Sequence, residues 1–150
     1  MSTRITTELL GELPDLSCIS TSSPISTSWI RGGDGLIGFG KYKSIKVSGP
    51  KRFAEASQWW RNEISQFEIH NNVHGSGTGP ILFTSFSFLD SEESELVVPE
   101  IIIGRRAGKS WITWIGGDRQ PQLTSRVLAK QELDLTWSTG SVSEAEWKER

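Results

Sequence analysis

LVVPEIII at residues 96–103, followed by SWITWI at residues 110–115, is the stretch of sequence that decides the fold of this chain. Both runs are rich in Ile, Val or Trp, which favour β-strands. The segment between them, Arg106-Ala107-Gly108-Lys109, is typical of a short hairpin turn. Pro99 cannot donate to a strand ladder, so it places the first run at a sheet edge or at a break in the strand. We therefore predict two strands joined as a hairpin.

One long helix is predicted upstream, over residues 51–66. Ser48-Gly49-Pro50 is typical of a helix entry, because a proline in the first turn loses no hydrogen bond. The apolar residues that follow recur at spacings of three and four and form a single stripe, consisting of Phe53, Ala56, Trp60, Ile64 and Phe67. We expect this helix to pack on the sheet.

The other predicted elements are strands and turns. Arg31–Gly35 is a turn between two extended pieces, and Ile45 and Val47 lie in a half-exposed strand. A loop is expected over Asn71–Pro80 and a further strand over Ile81–Phe88. A last strand is expected at Leu133, Leu135 and Trp137. The fold class is α+β: an antiparallel sheet with one long helix packed on it.

Three segments divide the chain. Residues 1–27 are poorly defined: the leucines at 9, 10 and 13 permit one helical turn, which Gly11 and Pro14 interrupt. Residues 17–28 are rich in Ser and Thr and indicate a loop or an extended edge segment. The domain itself is expected over residues 28–142.

The segment 143–150 begins another helix. Ser143 and Glu146 have the spacing of a capping box, and Trp147 suits a buried helix face. One interpretation is a short terminal helix docked through Trp147. The other is a helix that leads into a longer protein, of which the chain is a part.

Composition limits the classes of function. The net charge is −2, whereas a nucleic-acid binder usually carries an excess of basic residues. No apolar run approaches the length that spans a bilayer. Cys18 is the only cysteine, so no internal disulfide can form. We expect a cytoplasmic domain that binds neither nucleic acid nor membrane.

Several candidate sites fail on their spacing or their surroundings. His70 and His74 are four residues apart, but no cysteine or carboxylate close in sequence completes a metal site, so solvated loop histidines are expected. The carboxylates of Asp90–Glu95 lack the glycine and the spacing of a calcium loop and predict a solvated turn. Cys18 has no sequence pattern of a nucleophile.

The glycine and tryptophan motifs are also assigned to structure. Gly38-Phe39-Gly40 lacks the third glycine of a dinucleotide fingerprint, and Gly75–Gly79 lacks the lysine of a phosphate loop and reads as a flexible linker. Trp59-Trp60 and the pair Trp111 and Trp114 could stack a flat ligand, but core packing is expected for both pairs. No catalytic, cofactor-binding or metal-binding residue is assigned in this chain.

Taken in order, several motifs resemble the N-terminal region of isochorismate synthases, within the family of chorismate-utilising enzymes. They are GLIGFG at 35–40, SGPKRFAEA at 48–56, FSF at 86–88, LVVPE at 96–100, GRR at 104–106, WIT at 111–113 and SEAEW at 143–147. The resemblance covers roughly residues 28–150. It implies the N-terminal half of the chorismate-utilising enzyme fold.

The resemblance also implies a chemistry that this chain does not carry by itself. In that family a lysine base and a glutamate acid convert chorismate to isochorismate with Mg²⁺, in menaquinone, siderophore or salicylate synthesis. Those residues follow the region that resembles this chain, so chorismate is an expected ligand only if the C-terminal part is supplied. The alternatives are a stand-alone interaction module that uses its surface for binding, and a part of an anthranilate or aminodeoxychorismate synthase. Self-association is a further expectation.

Overall fold

The computed structural model describes residues 2–13, 15–125, 136 and 140–149. Its strands are β1 (Thr3–Leu10), β2 (Ile19–Ser20), β3 (Ile25–Arg31), β4 (Asp34–Phe39), β5 (Lys43–Val47), β6 (Phe67–Asn71), β7 (Phe83–Ser85), β8 (Ser94–Val98), β9 (Ile101–Arg106), β10 (Lys109–Ile115) and β11 (Thr124–Ser125). Its helices are a 3-10 turn (Leu16–Cys18), α1 (Arg52–Ile64) and α2 (Glu144–Lys148). The residues that predicted a last strand, Leu133, Leu135 and Trp137, lie outside this description.

The described strands form three sheets. A six-stranded sheet has the order β3-β4-β9-β10-β1-β6, a three-stranded sheet has the order β5-β8-β7, and β11 pairs with β2. The α+β class is therefore confirmed. The expectation of a purely antiparallel sheet was wrong, because β1 and β6 pair in parallel. The long connection between these two strands, which contains α1, makes a parallel pairing possible.

The run 96–103 passes from one sheet to the other at Pro99. β8 belongs to the three-stranded sheet, where it pairs with β5. β9 belongs to the six-stranded sheet, where it pairs with β4. Pro99 is buried, and a Cβ on Gly38 would lie 2.4 Å from its ring. The break predicted at Pro99 is thus confirmed, and the Gly38-Phe39-Gly40 motif gains a structural explanation as the partner of this corner.

One face of the six-stranded sheet carries the larger core. Strand residues that alternate inward pack with residues of the N-terminal segment, in a cluster of Leu16, Ile19, Ile37, Phe39, Ile101, Ile103, Ile112 and Trp114. The predicted core packing of Trp114 is therefore confirmed. A smaller cluster of Val47, Ala56 and Leu96 joins α1 to the three-stranded sheet.

The N-terminal segment is more ordered than the sequence indicates. The helical turn that the leucines at 9, 10 and 13 permit does not form, since β1 lies between β10 and β6 inside the six-stranded sheet. On the face of the six-stranded sheet opposite the larger core, Thr7 is fully buried. The Thr7 hydroxyl hydrogen-bonds the Thr113 hydroxyl at 2.8 Å. Mutual pairing removes the desolvation penalty that either hydroxyl alone would suffer.

Helix α1 confirms the prediction of one long helix over residues 51–66. Its apolar stripe is only partly covered: Ala56 is buried and Trp60 half-buried, but Phe53 is 54% exposed. The expected strand at Ile81–Phe88 is confirmed only for Phe83–Ser85. Beyond it the Ser87 N–H donates to the Ser94 hydroxyl at 2.8 Å instead of joining a ladder.

Helix α2 has the predicted capping box. The Ser143 backbone N–H and hydroxyl each donate to Glu146 Oε2 at 2.8 Å, and these bonds lower the pKa of that carboxyl below its usual value. Trp147 is 73% exposed, so the interpretation of a helix docked through this ring was wrong. None of the helices in the described part of the chain has the length and apolar composition needed to cross a bilayer.

Candidate functional site

Two hairpin turns lie side by side at one end of the six-stranded sheet. Gly32-Gly33 connects β3 to β4, and Ala107-Gly108 connects β9 to β10, as the sequence predicted for both turns. Because β4 pairs with β9, the two turns are neighbours. The Ala107 N–H donates to Asp34 Oδ2 at 3.0 Å, and Arg105 Nη1 donates to the Gly33 carbonyl at 3.2 Å. These two bonds fix the relative position of the turns.

Ala107 is the only non-glycine residue with positive φ in the described part of the chain, at 50°. This conformation disfavours alanine but suits asparagine, which is common in two-residue hairpin turns of this kind. We predict that Ala107→Asn raises the free energy of unfolding by roughly 0.5–1 kcal/mol. Urea denaturation of both proteins measures the difference. An unchanged or lower midpoint would show that Ala107 is not strained.

A row of side chains crosses four strands on the sheet face opposite the Leu16 cluster. The strand registers place Trp29 opposite Leu36, Leu36 opposite Gly104, and Gly104 opposite Trp111. Gly104 leaves a gap in this row, and the Trp111 ring occupies it: a Cβ on Gly104 would lie 2.2 Å from Trp111 Cε2. The predicted burial of Trp111 is confirmed, at 5% exposure.

The glycine-rich loop covers the end of this row. The Trp111 indole N–H donates to the Gly77 carbonyl at 3.0 Å. Asn71 Nδ2 donates to Thr78 Oγ1 at 2.9 Å, and the Thr78 hydroxyl donates to the Gly75 carbonyl at 2.8 Å. The interpretation of Gly75–Gly79 as a flexible linker was therefore wrong. Thr78 and the nearby Asn71 fix the loop locally, and Trp111, which local sequence does not connect to it, fixes it to the sheet.

The turns, the row and the loop enclose a cavity of about 390 Å³, which we call the hairpin cavity. Its walls are Trp29, Arg31, Asp34, Gly35, Leu36, Ser76, Gly77, Arg105, Arg106 and Trp111. The rings supply an apolar floor, and two arginines on this face, Arg31 and Arg106, outnumber the single carboxylate of Asp34, whereas Arg105 alternates to the opposite face, towards Asp15. The cavity therefore combines an apolar surface with a net positive rim, and its volume falls within the range of small-molecule sites.

The histidine pair does not converge on a site. His70 is exposed on β6, where its Nε2 lies 2.8 Å from Glu68 Oε1, and His74 is exposed in the following loop. The hydrogen bond from His70 lowers the pKa of Glu68. The prediction of solvated histidines agrees with this exposure, but its premise that no carboxylate lies close in sequence was wrong, because Glu68 is two residues from His70, and His70 lies on a strand and not in a loop.

The acidic run at Asp90–Glu95 is paired with lysines. Glu93 lies 2.7 Å from Lys46 Nζ, and Glu95 lies 2.6 Å from Lys41 Nζ. The hydrogen bond from Lys41 lowers the pKa of Glu95. The prediction of a solvated turn agrees with the exposure of Asp90–Glu93, but it was wrong for Ser94 and Glu95, which begin β8 with Ser94 buried. Exposed ion pairs of this kind contribute little to stability.

The two remaining candidates from the sequence are the Trp59-Trp60 pair and Cys18. The core packing expected for Trp59 and Trp60 is confirmed only in part: both are half-buried and lie outside the two core clusters, and the Trp60 ring meets the Phe67 ring edge-on at 6.3 Å. Cys18 is a free thiol of intermediate exposure.

The side chains around the hairpin cavity do not fit the Mg²⁺ that the family resemblance implies. A magnesium site needs several oxygen ligands in octahedral geometry. The cavity has one carboxylate, Asp34, and its Oδ2 already accepts the Ala107 N–H. Within the ranges 2–13, 15–125 and 140–149, no three His, Cys, Asp or Glu side chains are grouped so that they could hold a metal ion.

The fold and the cavity define an α+β domain with a ligand-sized cavity at the end of a mixed sheet. The sequence matches the family model described as "Chorismate binding enzyme" over residues 29–147, which is most of the chain. The chain belongs to this family. Comparisons with curated proteins and with solved structures found no match. The matched range contains every residue that lines the hairpin cavity.

Proposed function

We propose that this chain is the N-terminal, sheet-forming part of an isochorismate synthase, which converts chorismate to isochorismate with Mg²⁺. The observation that carries the proposal is that the motifs shared with those enzymes are packed against one another. Gly38 of the first motif lies against Pro99 of LVVPE, and Gly104 of GRR lies against Trp111 of the WIT motif. Membership of the chorismate-binding family supports the substrate class.

The proposal assigns no catalytic step to the residues of this chain. The conversion adds a hydroxyl from water at one ring carbon and expels the hydroxyl of another, which requires a general base for the water and a general acid for the leaving hydroxyl. The ionisable residues among the cavity walls are three arginines and Asp34, and Asp34 Oδ2 already accepts a backbone N–H. The base, the acid and the magnesium ligands are therefore expected from a further segment of the enzyme.

We predict that the purified chain alone leaves chorismate unconverted, with or without Mg²⁺. The measurement is a chromatographic assay of chorismate and its products over several hours. A complete isochorismate synthase serves as the positive control and buffer with Mg²⁺ as the blank. Magnesium-dependent isochorismate formation by the pure chain would overturn the assignment of catalysis to another segment.

A second candidate function is a stand-alone interaction module, and the exposed rings of the chain are the surface on which the two candidates differ. Phe88 is 96% exposed, Trp147 73% and Phe53 54%, although large rings are usually buried. In an enzyme part, such surface would face the catalytic segment or cause self-association. Size-exclusion chromatography with light scattering and binding of a hydrophobic dye distinguish the two. A monomer that binds no dye favours the module.

The finer assignments belong to the same proposal. An anthranilate or aminodeoxychorismate synthase part is the related enzyme alternative, and the product of the complete enzyme distinguishes the three reactions. Menaquinone and siderophore synthesis are the pathways in which isochorismate formation would place the chain. A cytoplasmic location is supported by the single cysteine, which forms no internal disulfide.

A further inference from the structure

We propose that the hairpin cavity is a binding site for a small anion that consists of one flat ring and a carboxylate. The inference depends on the cavity alone and goes beyond the assigned reaction, since none of its steps uses the cavity. Three properties of the walls carry it: an exposed aromatic face, arginines without acidic partners, and a size that suits one ring.

The aromatic face is provided by Trp29. This residue lies next to Leu36 on the edge strand β3, and 68% of its surface is exposed. Among the described residues no ring stacks on it. Trp111, further along the same row, is buried and fixed by its bond to Gly77, so it forms a rigid wall. A flat ring that enters the cavity would cover Trp29 and gain stacking as well as burial.

The charge is provided by a second row, next to the first. Arg31 lies opposite Asp34 across the β3–β4 hairpin, and Arg106 lies on the neighbouring strand, one residue beyond Arg105. Neither Arg31 nor Arg106 forms an ion pair with a described carboxylate. Asp34 lies in the same row and its Oδ2 accepts the Ala107 N–H, so its carboxylate offsets one of the two positive charges. The row keeps one net positive charge and two exposed guanidinium groups beside the ring surface, and a guanidinium binds a carboxylate through two parallel hydrogen bonds.

The size of the cavity restricts the ligand. A volume of about 390 Å³ is near the lower end for small-molecule sites, which suits a single ring with its substituents. The arginines lie at the open rim, where salt screens their charge, so a one-ring ligand is expected to bind with a Kd on the order of 1 mM.

The test uses 4-hydroxybenzoate as the probe and the tryptophan indole N–H signals of the whole chain as the readout. The indole signals of Trp29 and Trp111 are assigned with Trp29→Phe and Trp111→Phe and followed by ¹H–¹⁵N NMR during a titration. We expect saturable shifts that are largest for Trp29 and Trp111. Two further ligands separate the contributions: 4-hydroxybenzamide lacks the charge, and cyclohexanecarboxylate lacks the flat ring.

The expected affinities follow from the contacts. The amide should bind about tenfold more weakly, because it loses the charged hydrogen bonds to arginine. The saturated ring should bind about fivefold more weakly, because it loses the stacking on Trp29. Equal affinity for the acid and the amide would overturn the proposal, as would shifts confined to other tryptophans or no saturable shift up to 20-fold the expected Kd, roughly 20 mM.

A variant pair locates the carboxylate. Arg31→Gln combined with Arg106→Gln should weaken 4-hydroxybenzoate binding about tenfold and leave the fold intact, since both side chains are exposed. Arg61→Gln, an exposed arginine on α1, is the matched control and should bind as the native chain does. Unchanged affinity in the double variant, or an equal loss in the control, would overturn the assignment. Dispersed NMR signals in each variant confirm that it is folded.

Discussion

Gly104→Ala is expected to lower the free energy of unfolding by about 3 kcal/mol, although it adds a single methyl group. The added Cβ would lie 2.2 Å from Trp111 Cε2 and 2.3 Å from Cζ2, well inside contact distance. The ring cannot retreat easily, because it is buried and its N–H is bonded to the Gly77 carbonyl. Either β9 shifts, or the indole leaves its place and breaks that hydrogen bond.

Two controls separate this collision from a general effect of alanine. Gly11→Ala is the matched substitution, since a Cβ there would meet nothing within 4 Å, and it should change the stability by less than about 0.5 kcal/mol. Trp111→Leu removes the ring, so Gly104→Ala should cost much less in that background. Equal losses for Gly104→Ala in the native and the Trp111→Leu proteins, in urea unfolding, would contradict the packing described.

Leu16→Ala is expected to destabilise the chain by about 3 kcal/mol. Leu16 is fully buried on the larger core, together with Ile37, Phe39 and Ile103. Truncation would remove buried apolar surface and leave a cavity that strands β4 and β9 cannot close. The residue lies in the segment 1–27, which composition and periodicity leave poorly defined, so the prediction tests whether this segment belongs to the core.

Leu9→Ala provides the comparison for this second prediction. Leu9 is in the same N-terminal segment but 61% of its surface is exposed. Its truncation should change the stability by less than about 0.5 kcal/mol. Thermal and urea unfolding of the two variants under one set of conditions give the difference. Similar small losses in both would mean that the N-terminal segment does not cover the sheet.

The elements that the sequence predicts well are those with local signals. Helix α1 has a stripe at spacings of three and four, and both hairpins have turn residues between β-rich runs, so no distant contact is needed to recognise them. The capping box of α2 is likewise local: Ser143 and Glu146 are three residues apart and satisfy each other. Pro99 marks the point where the chain passes from one sheet to the other, because a proline, which has no N–H, cannot donate to a strand ladder in any fold.

Strand β1 escaped prediction because two patterns compete in it. Ile5, Thr7 and Leu9 alternate as a strand requires, yet the leucines at 9, 10 and 13 suggest a helical turn. Thr7 also looks like a solvent-facing residue until Thr113 is placed opposite it. The strand is therefore specified by its partner, which lies more than a hundred residues away in the sequence.

The hairpin cavity could not be predicted for the same physical reason. Its arginines come from two hairpins that are neighbours only because β4 pairs with β9. Trp111 was recognised as a core residue, but the gap at Gly104 and the cover at Gly77 depend on pairing and on a loop path that local sequence does not encode. The motif order identified the family, whereas the cavity required the three-dimensional register.

The most direct test of the central claim joins this chain, through helix α2, to the catalytic segment of an isochorismate synthase whose own N-terminal part has been removed. The measurement is Mg²⁺-dependent conversion of chorismate by the purified chimaera. The account predicts isochorismate from the chimaera and none from either part alone. A folded chimaera that leaves chorismate unconverted would contradict the assignment of this chain as the sheet-forming part of such an enzyme.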